Sequence, residues 1–440
     1  MSYGMVQTVF AINLASNGAA GQIDTPANLQ SLLSIYLKGG TYFGNYGFYN
    51  AQNEWTQDWP GFFKLVNPLM NPETAGGDWS VVWGPCVYTK LAKDATTGTP
   101  TNSAFVAYSP SQNSYVVSVA GTNFKSITDW LSEDVNVLPA NQVSWSKFNP
   151  INLTQLTPST EAWIDGGSAL GVTDLLTQLF DTSQSANCQS LGGFLQNLPN
   201  NPDFTTGASL YFSGHSLGGA LTQVLPLYLH AALVAVNQGE SGKSVWGPVY
   251  VLPTAGPTPG NKYFAELFNQ TFPGNIATGF SPVPYWNTDV ISNLDIVPAA
   301  WNNIYNAFSV TPDAAGNYSS FYGMIGKTQI SITIPLMDIK LTSLPFGEAM
   351  ATLVTLAQTF ASPIQPYWPV QQYPFAPTQG FYDWSTGSPV WTTYTLPTDA
   401  DPIETLEALG PYVLYTHTAQ YSYYFLGGAI PPTPRQQKSN

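Results

Sequence analysis

A chain of 440 residues could hold two or three average domains, but α/β folds often use this length for one core with insertions. Charged residues are 9% of the chain, against about 25% in ordinary domains, and the formal net charge is -14. Twelve scattered Lys and Arg cannot form the basic patch that nucleic acids and anionic membrane surfaces require, so both are excluded as partners.

Aromatics reach 14%, with 38 Gly and 36 Pro, and the surface must therefore rely on Asn, Gln, Ser, Thr and Tyr. Cys86 and Cys188 are too few for a disulfide framework, lack metal spacing, and can pair or not. Neither a metal nor a cofactor is expected. Residues 1–8 show no basic start followed by an apolar run, so no signal peptide is expected. The expectation is a soluble protein, cytoplasmic unless a leader has been removed, in which case secreted. The longest apolar stretch, 221–236, contains Gln223, Pro226 and His230 and falls short of a membrane span.

In chain order, Thr25-Pro26 with Leu29, Leu32, Leu33, Tyr36 and Leu37 predicts a capped amphipathic helix that ends at Gly39-Gly40. A Tyr-, Asn- and Trp-rich stretch to about residue 78 reads as irregular. Runs at 80–90, 104–108 and 115–120 are β-rich, and Ser109-Pro110-Ser111-Gln112-Asn113-Ser114 joins the last two as a hairpin turn. Residues 124–134 form a short helix candidate with Ile127, Trp130 and Leu131 on one side, a pattern more often found packed on a core than in a moving lid. Residues 168–180 predict another helix, and a Gly-, Asn- and Pro-rich connection follows at about 184–206.

The stretch that organises the rest is Tyr211-Phe212-Ser213-Gly214-His215-Ser216-Leu217-Gly218-Gly219. An apolar strand at 208–212 runs into it and a long apolar helix, about 217–236, leaves it without a spacer. That is the form of a nucleophile elbow, a sharp turn that lifts a serine hydroxyl out of the backbone. Gly214 and Gly218 flank the serine where a Cβ would have no room, and the N–H of Leu217 begins the helix where an oxyanion would form.

After the elbow, 249–252 and 289–294 read as strands separated by a long loop. Alternating apolar runs and helices favour a mostly parallel sheet with helices on both faces. From residue 301 to 399 the character changes: 329–337 resembles a strand, 346–360 carries a helical stripe, and Pro366-Tyr367-Trp368-Pro369 leads a Pro-aromatic stretch. This predicts an insertion or cap on a single 1–440 domain, not a separate unit.

A catalytic serine needs a base, and there are three histidines. His215 leaves the turn in another direction and is assigned to packing or to a hydrogen bond that shapes the elbow. His230 lies about 21 Å along the same helix, at 1.5 Å per residue. His417 remains. The acid must follow Ser216, precede His417 and sit at a strand end; Asp295 does, with Asp289, placed at the wrong edge of the sheet, and Asp313 as weaker alternatives.

These residues resemble the class 3 (fungal-type) lipases of the α/β-hydrolase superfamily. Ala120-Gly121-Thr122 with Asp129-Trp130-Leu131 is similar to the family's Arg-Gly-Thr/Ser and Asp-Trp-Leu segments, and 164–167 weakly to its His-x-Gly-Phe. Gly214-His215-Ser216-Leu217-Gly218-Gly219 is its elbow unchanged. Gly256-Pro257-Thr258-Pro259-Gly260-Asn261 resembles its Gly-x-Pro-Arg-x-Gly-Asn, and Asp295-Ile296-Val297-Pro298 its strand end. The resemblance implies Ser216, Asp295 and His417 as triad and Thr122 with Leu217 as oxyanion hole. It also implies a lid at about 123–138 that carries Trp130 and Leu131, and an ester or lipid substrate met at a lipid–water interface. Ala120 and Thr258 replace usual arginines, and the interval from Asp295 to His417 is longer than in compact members. Rival readings are a soluble-ester esterase, thioesterase or acyltransferase, a serine peptidase, and an inactive hydrolase fold used for binding.

Overall fold

The structure, a computed structural model, describes residues 3–19, 22–38, 47–49, 55–57, 68–69, 78–121, 142–153, 159–181, 189–235, 245–276, 285–295, 297–299, 329–334, 339–345, 367–376, 380–383, 390–393, 412 and 415–426. Its main elements, in chain order, are helix α1 (Met5–Leu14), helix α2 (Pro26–Leu37), strands β1 (Ser80–Tyr88), β2 (Asn102–Ser109) and β3 (Ser114–Val119), helix α3 (Gly166–Thr177) and helix α4 (Leu191–Asn197). Then come β4 (Ala208–His215), helix α5 (Leu217–Ala235), β5 (Trp246–Thr254), helix α6 (Lys262–Thr271), β6 (Asp289–Ser292), β7 (Gln372–Phe375) and helix α7 (Gln420–Leu426).

β1 to β7 form one sheet in which every strand neighbours the next in sequence. β2 runs antiparallel to β1 and β3; from β3 to β7 all pairs are parallel. Both faces are buried, as a parallel sheet requires, and the two-residue period of the strands sorts side chains between them. Ala104, Val106, Val117, Leu210, Phe212 and Val251 face one layer, with α3, α5 and α6; Phe105, Ala107, Val116, Tyr211, Leu252 and Val290 face the other, with α1, α2 and α7. This is the mostly parallel sheet with helices on both faces that the alternating pattern favours, and the α/β-hydrolase architecture that the resemblance implies.

Several local expectations change. The connection at 184–206 contains α4, which starts because Ser190 Oγ accepts from Gly193 N. The long loop before residue 289 contains α6, capped by Asn261, whose Oδ1 accepts from both Phe264 N and Trp163 N. α1 is apolar on most sides, which marks a buried helix without an amphipathic stripe. Residues 329–334 pair with 339–345 as a hairpin, and within 301–399 the Pro-aromatic stretch supplies β7, the edge strand of the central sheet. The helix candidate at 124–134, the stripe at 346–360 and Cys188 lie outside the described residues; Cys86 is buried on β1.

Asp165 caps α3 through Ser168 N at 2.7 Å, while its own N–H donates to Pro259 O. Burial pushes its carboxyl up to about 6. The folded state then holds a proton that the unfolded chain releases above about 4, so wild-type stability falls as pH rises through that window. Asp165→Asn keeps the cap and removes the buried charge. In urea denaturation it is expected to exceed the wild type by up to ~2 kcal/mol at pH 8 and to match it near pH 4.

Candidate active site

β4 ends at His215 and α5 begins at Leu217, which leaves Ser216 as the single linking residue with φ 61°. A non-glycine residue in that left-handed region is strained by roughly 1–2 kcal/mol and persists only where the surroundings dictate it. Ser216 N donates to Thr254 O at 3.0 Å, while Gly219 N and Ala220 N return to Ser216 O at 2.8 and 3.2 Å and open the helix. A Cβ on Gly214 would fall on the Gly218 carbonyl, and one on Gly218 would lie 2.6 Å from Val119 O. The ends of β3 and β4 and the start of α5 thus approach more closely than any side chain allows. As the first residue of α5, Leu217 presents an N–H that has no acceptor within the helix.

Asp295 follows β6, its N–H bonded to Ser292 O at 3.0 Å, and is 4% exposed. Its Oδ2 lies 2.8 Å from His417 Nδ1, a fully buried pair drawn from positions 122 residues apart. Oδ2 also accepts from the Tyr421 hydroxyl at 2.8 Å, and Oδ1 from Val297 N at 3.0 Å. Because the carboxylate only accepts, Nδ1 carries the ring proton and Nε2 holds the lone pair. Nε2 is buried and makes no hydrogen bond among the described residues. His417 sits in a π-helical turn, Tyr415–Ala419, that leads into α7; such widened turns recur at functional sites.

His215 ties this turn to the elbow. Its Nε2 lies 2.7 Å from the His417 carbonyl and its Nδ1 2.9 Å from Thr254 Oγ1, and the two imidazoles are 4.8 Å apart. The carbonyl fixes the proton on His215 Nε2. Burial, and secondarily the neighbouring His417, hold the His215 imidazole well below the usual histidine range, so the ring is neutral and Nδ1 accepts from the threonine.

Ser216, Leu217, Gly214, Gly218, His215, Asp295 and His417 therefore meet at one end of the sheet. Thr122, Trp130, Leu131, the 123–138 segment and Asp313 lie outside the described residues. Asp289 opens β6 but does not sit at the opposite edge of the sheet: Val290 pairs with Thr254 at the carboxyl end of β5, Asp289 Oδ1 accepts from Gly256 N at 3.2 Å, and burial, with a smaller contribution from Asp295, pushes its carboxyl well up. His230 packs edge-on against Phe272, and burial lowers its imidazole. Ala120 and Thr258, where the resembled family has arginines, are both buried. Tyr421 was not foreseen. Its only signal is the i, i+4 spacing from His417 on one helical face. Among the described residues no group of three metal-ligating side chains occurs, and no helix is long and apolar enough to cross a membrane.

Residues 116–304 match the family model described as lipase (class 3), a span of less than half the chain that includes the elbow and Asp295 but not His417. Among solved structures, M37 lipase is 19% identical over 97% of this chain and 93% of its own, with a TM-score of 0.55. That likeness shows a shared fold. A triacylglyceride lipase of Rhizomucor miehei is 17% identical over 55% of this chain and 63% of its own, with a TM-score of 0.29. Lip2 lipase of Yarrowia lipolytica is 18% identical over 62% and 77%, with a TM-score of 0.31. No curated protein matches. Lipases are carboxylic-ester hydrolases, and residues 116–304 are similar to that family.

Tyr421→Phe removes one donor from Asp295 and strips the acceptor from Ser292 N, which bonds the same hydroxyl at 2.8 Å. A buried donor without a partner costs about 1–3 kcal/mol, so the melting temperature is expected to fall by several degrees. The kcat for a soluble ester is expected to fall by about tenfold, with reactivity of Ser216 towards a fluorophosphonate reduced in parallel.

Proposed function

We propose, for a chain whose residues 116–304 form a class 3 lipase segment, hydrolysis of carboxylic esters through a serine acyl-enzyme. The observation that carries this reading is the buried Asp295–His417 pair next to the elbow, its tautomer leaving Nε2 as the basic atom. In the proposed cycle Nε2 takes the proton of the Ser216 hydroxyl as its oxygen attacks the ester carbonyl. Asp295 stabilises the resulting imidazolium, and the N–H groups of Leu217 and Thr122, with the Thr122 hydroxyl, receive the oxyanion. The leaving alcohol takes the proton back from His417. Water, deprotonated by the same nitrogen, then attacks the acyl-serine and releases the acid. Ser216 is 5% exposed, and on the resemblance we assign the 123–138 segment as the lid over the acyl site.

For the substrate we propose acylglycerols. The aromatic content of 301–399 suits an acyl chain, and that stretch is proposed as the cap. Turnover of esters of increasing chain length is expected to rise where the substrate passes its solubility limit. A rate that saturates below that limit and drops above it would instead assign a soluble-ester esterase.

Ser216→Ala and His417→Ala are each expected to lower ester turnover at least ~10³-fold while leaving the circular dichroism spectrum unchanged. Retained burst kinetics in either variant would remove that residue from the mechanism. Thr122→Ala is expected to slow turnover by about one to three orders of magnitude, the cost of losing an oxyanion donor. A rate equal to the wild type excludes its hydroxyl from the oxyanion hole.

A further inference from the structure

The N-terminal segment, outside the family match, runs beneath the end of the sheet where Ser216 sits. Asn13, on α1, is fully buried, with its Nδ2 3.2 Å from Ser118 Oγ, 3.0 Å from Val119 O and 2.8 Å from Ser213 O. Two of these are backbone carbonyls that can only accept, so the amide nitrogen must face them. One side chain thereby joins β3 to β4 just before the elbow. The next residues extend the seam: Ser16 Oγ donates to Asn13 O at 2.7 Å, and Ser103 Oγ donates to Ser16 O at 2.9 Å.

Asn17 carries the seam to the active site. Its Oδ1 accepts the Gly121 N–H at 2.8 Å. Gly121 is two residues past β3, and the place where its Cβ would be lies 2.6 Å from His215 O and 3.1 Å from Ser216 Cβ. The backbone at 121 is therefore held between the Asn17 amide on one side and the nucleophile on the other. A glycine has no side chain to anchor it and the widest backbone freedom of any residue, so its position depends on such external contacts.

We infer that Asn17 is a positioning residue for the oxyanion hole: by accepting the Gly121 N–H it fixes the distance of Gly121, the residue that leads into Thr122, from Ser216. This rests on the proposed role of Thr122 as oxyanion donor. A donor is effective only when it is preorganised about 3 Å from where the charge develops, and a misplacement of about 1 Å costs on the order of a hundredfold in rate. Asn13 holds the two strands, while Asn17 holds the loop; the second does not bear on the packing of the sheet.

The test is Asn17→Leu, similar in size but without an acceptor, at a half-buried position. Active sites are titrated with a fluorophosphonate, and kcat and KM are then measured per titrated site on a soluble p-nitrophenyl ester. The affinity of an alkyl boronic acid, which adds to the serine and mimics the tetrahedral state, is measured beside them. The expected result is a fall in per-site kcat of about ten- to a hundredfold and a parallel loss of boronate affinity, with KM changed less than about threefold. A merely structural role would lower the melting temperature and the titratable fraction and leave per-site kcat intact; that result overturns the inference, as does a loss confined to KM. Should the leucine variant not fold, Asn17→Ala is read by the same criteria. Thr122→Ala runs in parallel. Alanine removes only the hydroxyl, so Thr122→Pro, which removes the backbone N–H, is measured beside it: if both are unimpaired, the oxyanion reading itself falls, whereas an impaired Thr122 variant beside an unaffected Asn17→Leu sinks the role of Asn17 alone.

Discussion

The close approach at the end of β4 is the constraint on which the site depends. Ser216 is held at φ 61° because its N–H reaches Thr254 O on one flank, while Gly214 and Gly218 bring its own turn and Val119 O into contact on the other. The parallel sheet makes this possible. It aligns the carboxyl ends of β3, β4, β5 and β6, so that Gly121, Ser216, Thr254 and Asp295 emerge at one edge although 174 positions separate the first from the last. No single helix or hairpin could gather them.

Around that turn lies a buried polar set whose members answer one another. An ionised carboxylate withdrawn from water is costly unless donors replace the hydration, and Asp295 receives three, from His417 Nδ1, Tyr421 and Val297 N. Asp289, further back on the same strand, is pushed towards its neutral form, so the pair avoids two adjacent negative charges. His215 is neutral for the same reason of burial, which keeps a second positive charge away from His417. The Tyr412 hydroxyl bonds Leu294 O at 3.1 Å and closes the loop before the acid. Each group is polarised in the direction the next one needs.

What was legible in the sequence followed from local rules. The elbow could be read because its geometry forbids a Cβ at two fixed offsets and demands a strand before and a helix after. α2 could be read because Thr25, Pro26 and an apolar stripe coincide. β7 was missed because Pro and aromatics dominate it; it is tolerated as an edge strand, where one side of the ladder needs no partner. α6 was hidden by a chain whose cap, Asn261, lies in a Gly-Asn pair that also marks a turn. α1 lacked a stripe because both of its sides are covered. His417 could be reached only by elimination among three histidines, since nothing in its own surroundings distinguishes a base. Asn13 and Asn17 show as polar residues in or beside an apolar run, but their partners are about a hundred to two hundred residues away, beyond any local pattern.

The same long-range contacts decide what part of the chain can act. The matched segment, 116–304, carries Ser216 and Asp295, proposed as nucleophile and acid, but the His417 imidazole proposed as base comes from 415–419 and its turn is continuous with α7. α7 is secured from the opposite end of the sequence: Phe10 stacks on Phe425 at 4.1 Å and Gln7 Nε2 donates to Phe425 O at 2.9 Å. The layer that covers the sheet face away from α5 is thus built from both outer regions of the chain, and it delivers His417 to Asp295 on one side and Asn17 to Gly121 on the other. Apolar burial of α1 and α7 is therefore coupled to the alignment of His417 with Asp295. Residues 116–304 alone would present the elbow and Asp295 without the His417 imidazole that we propose as base.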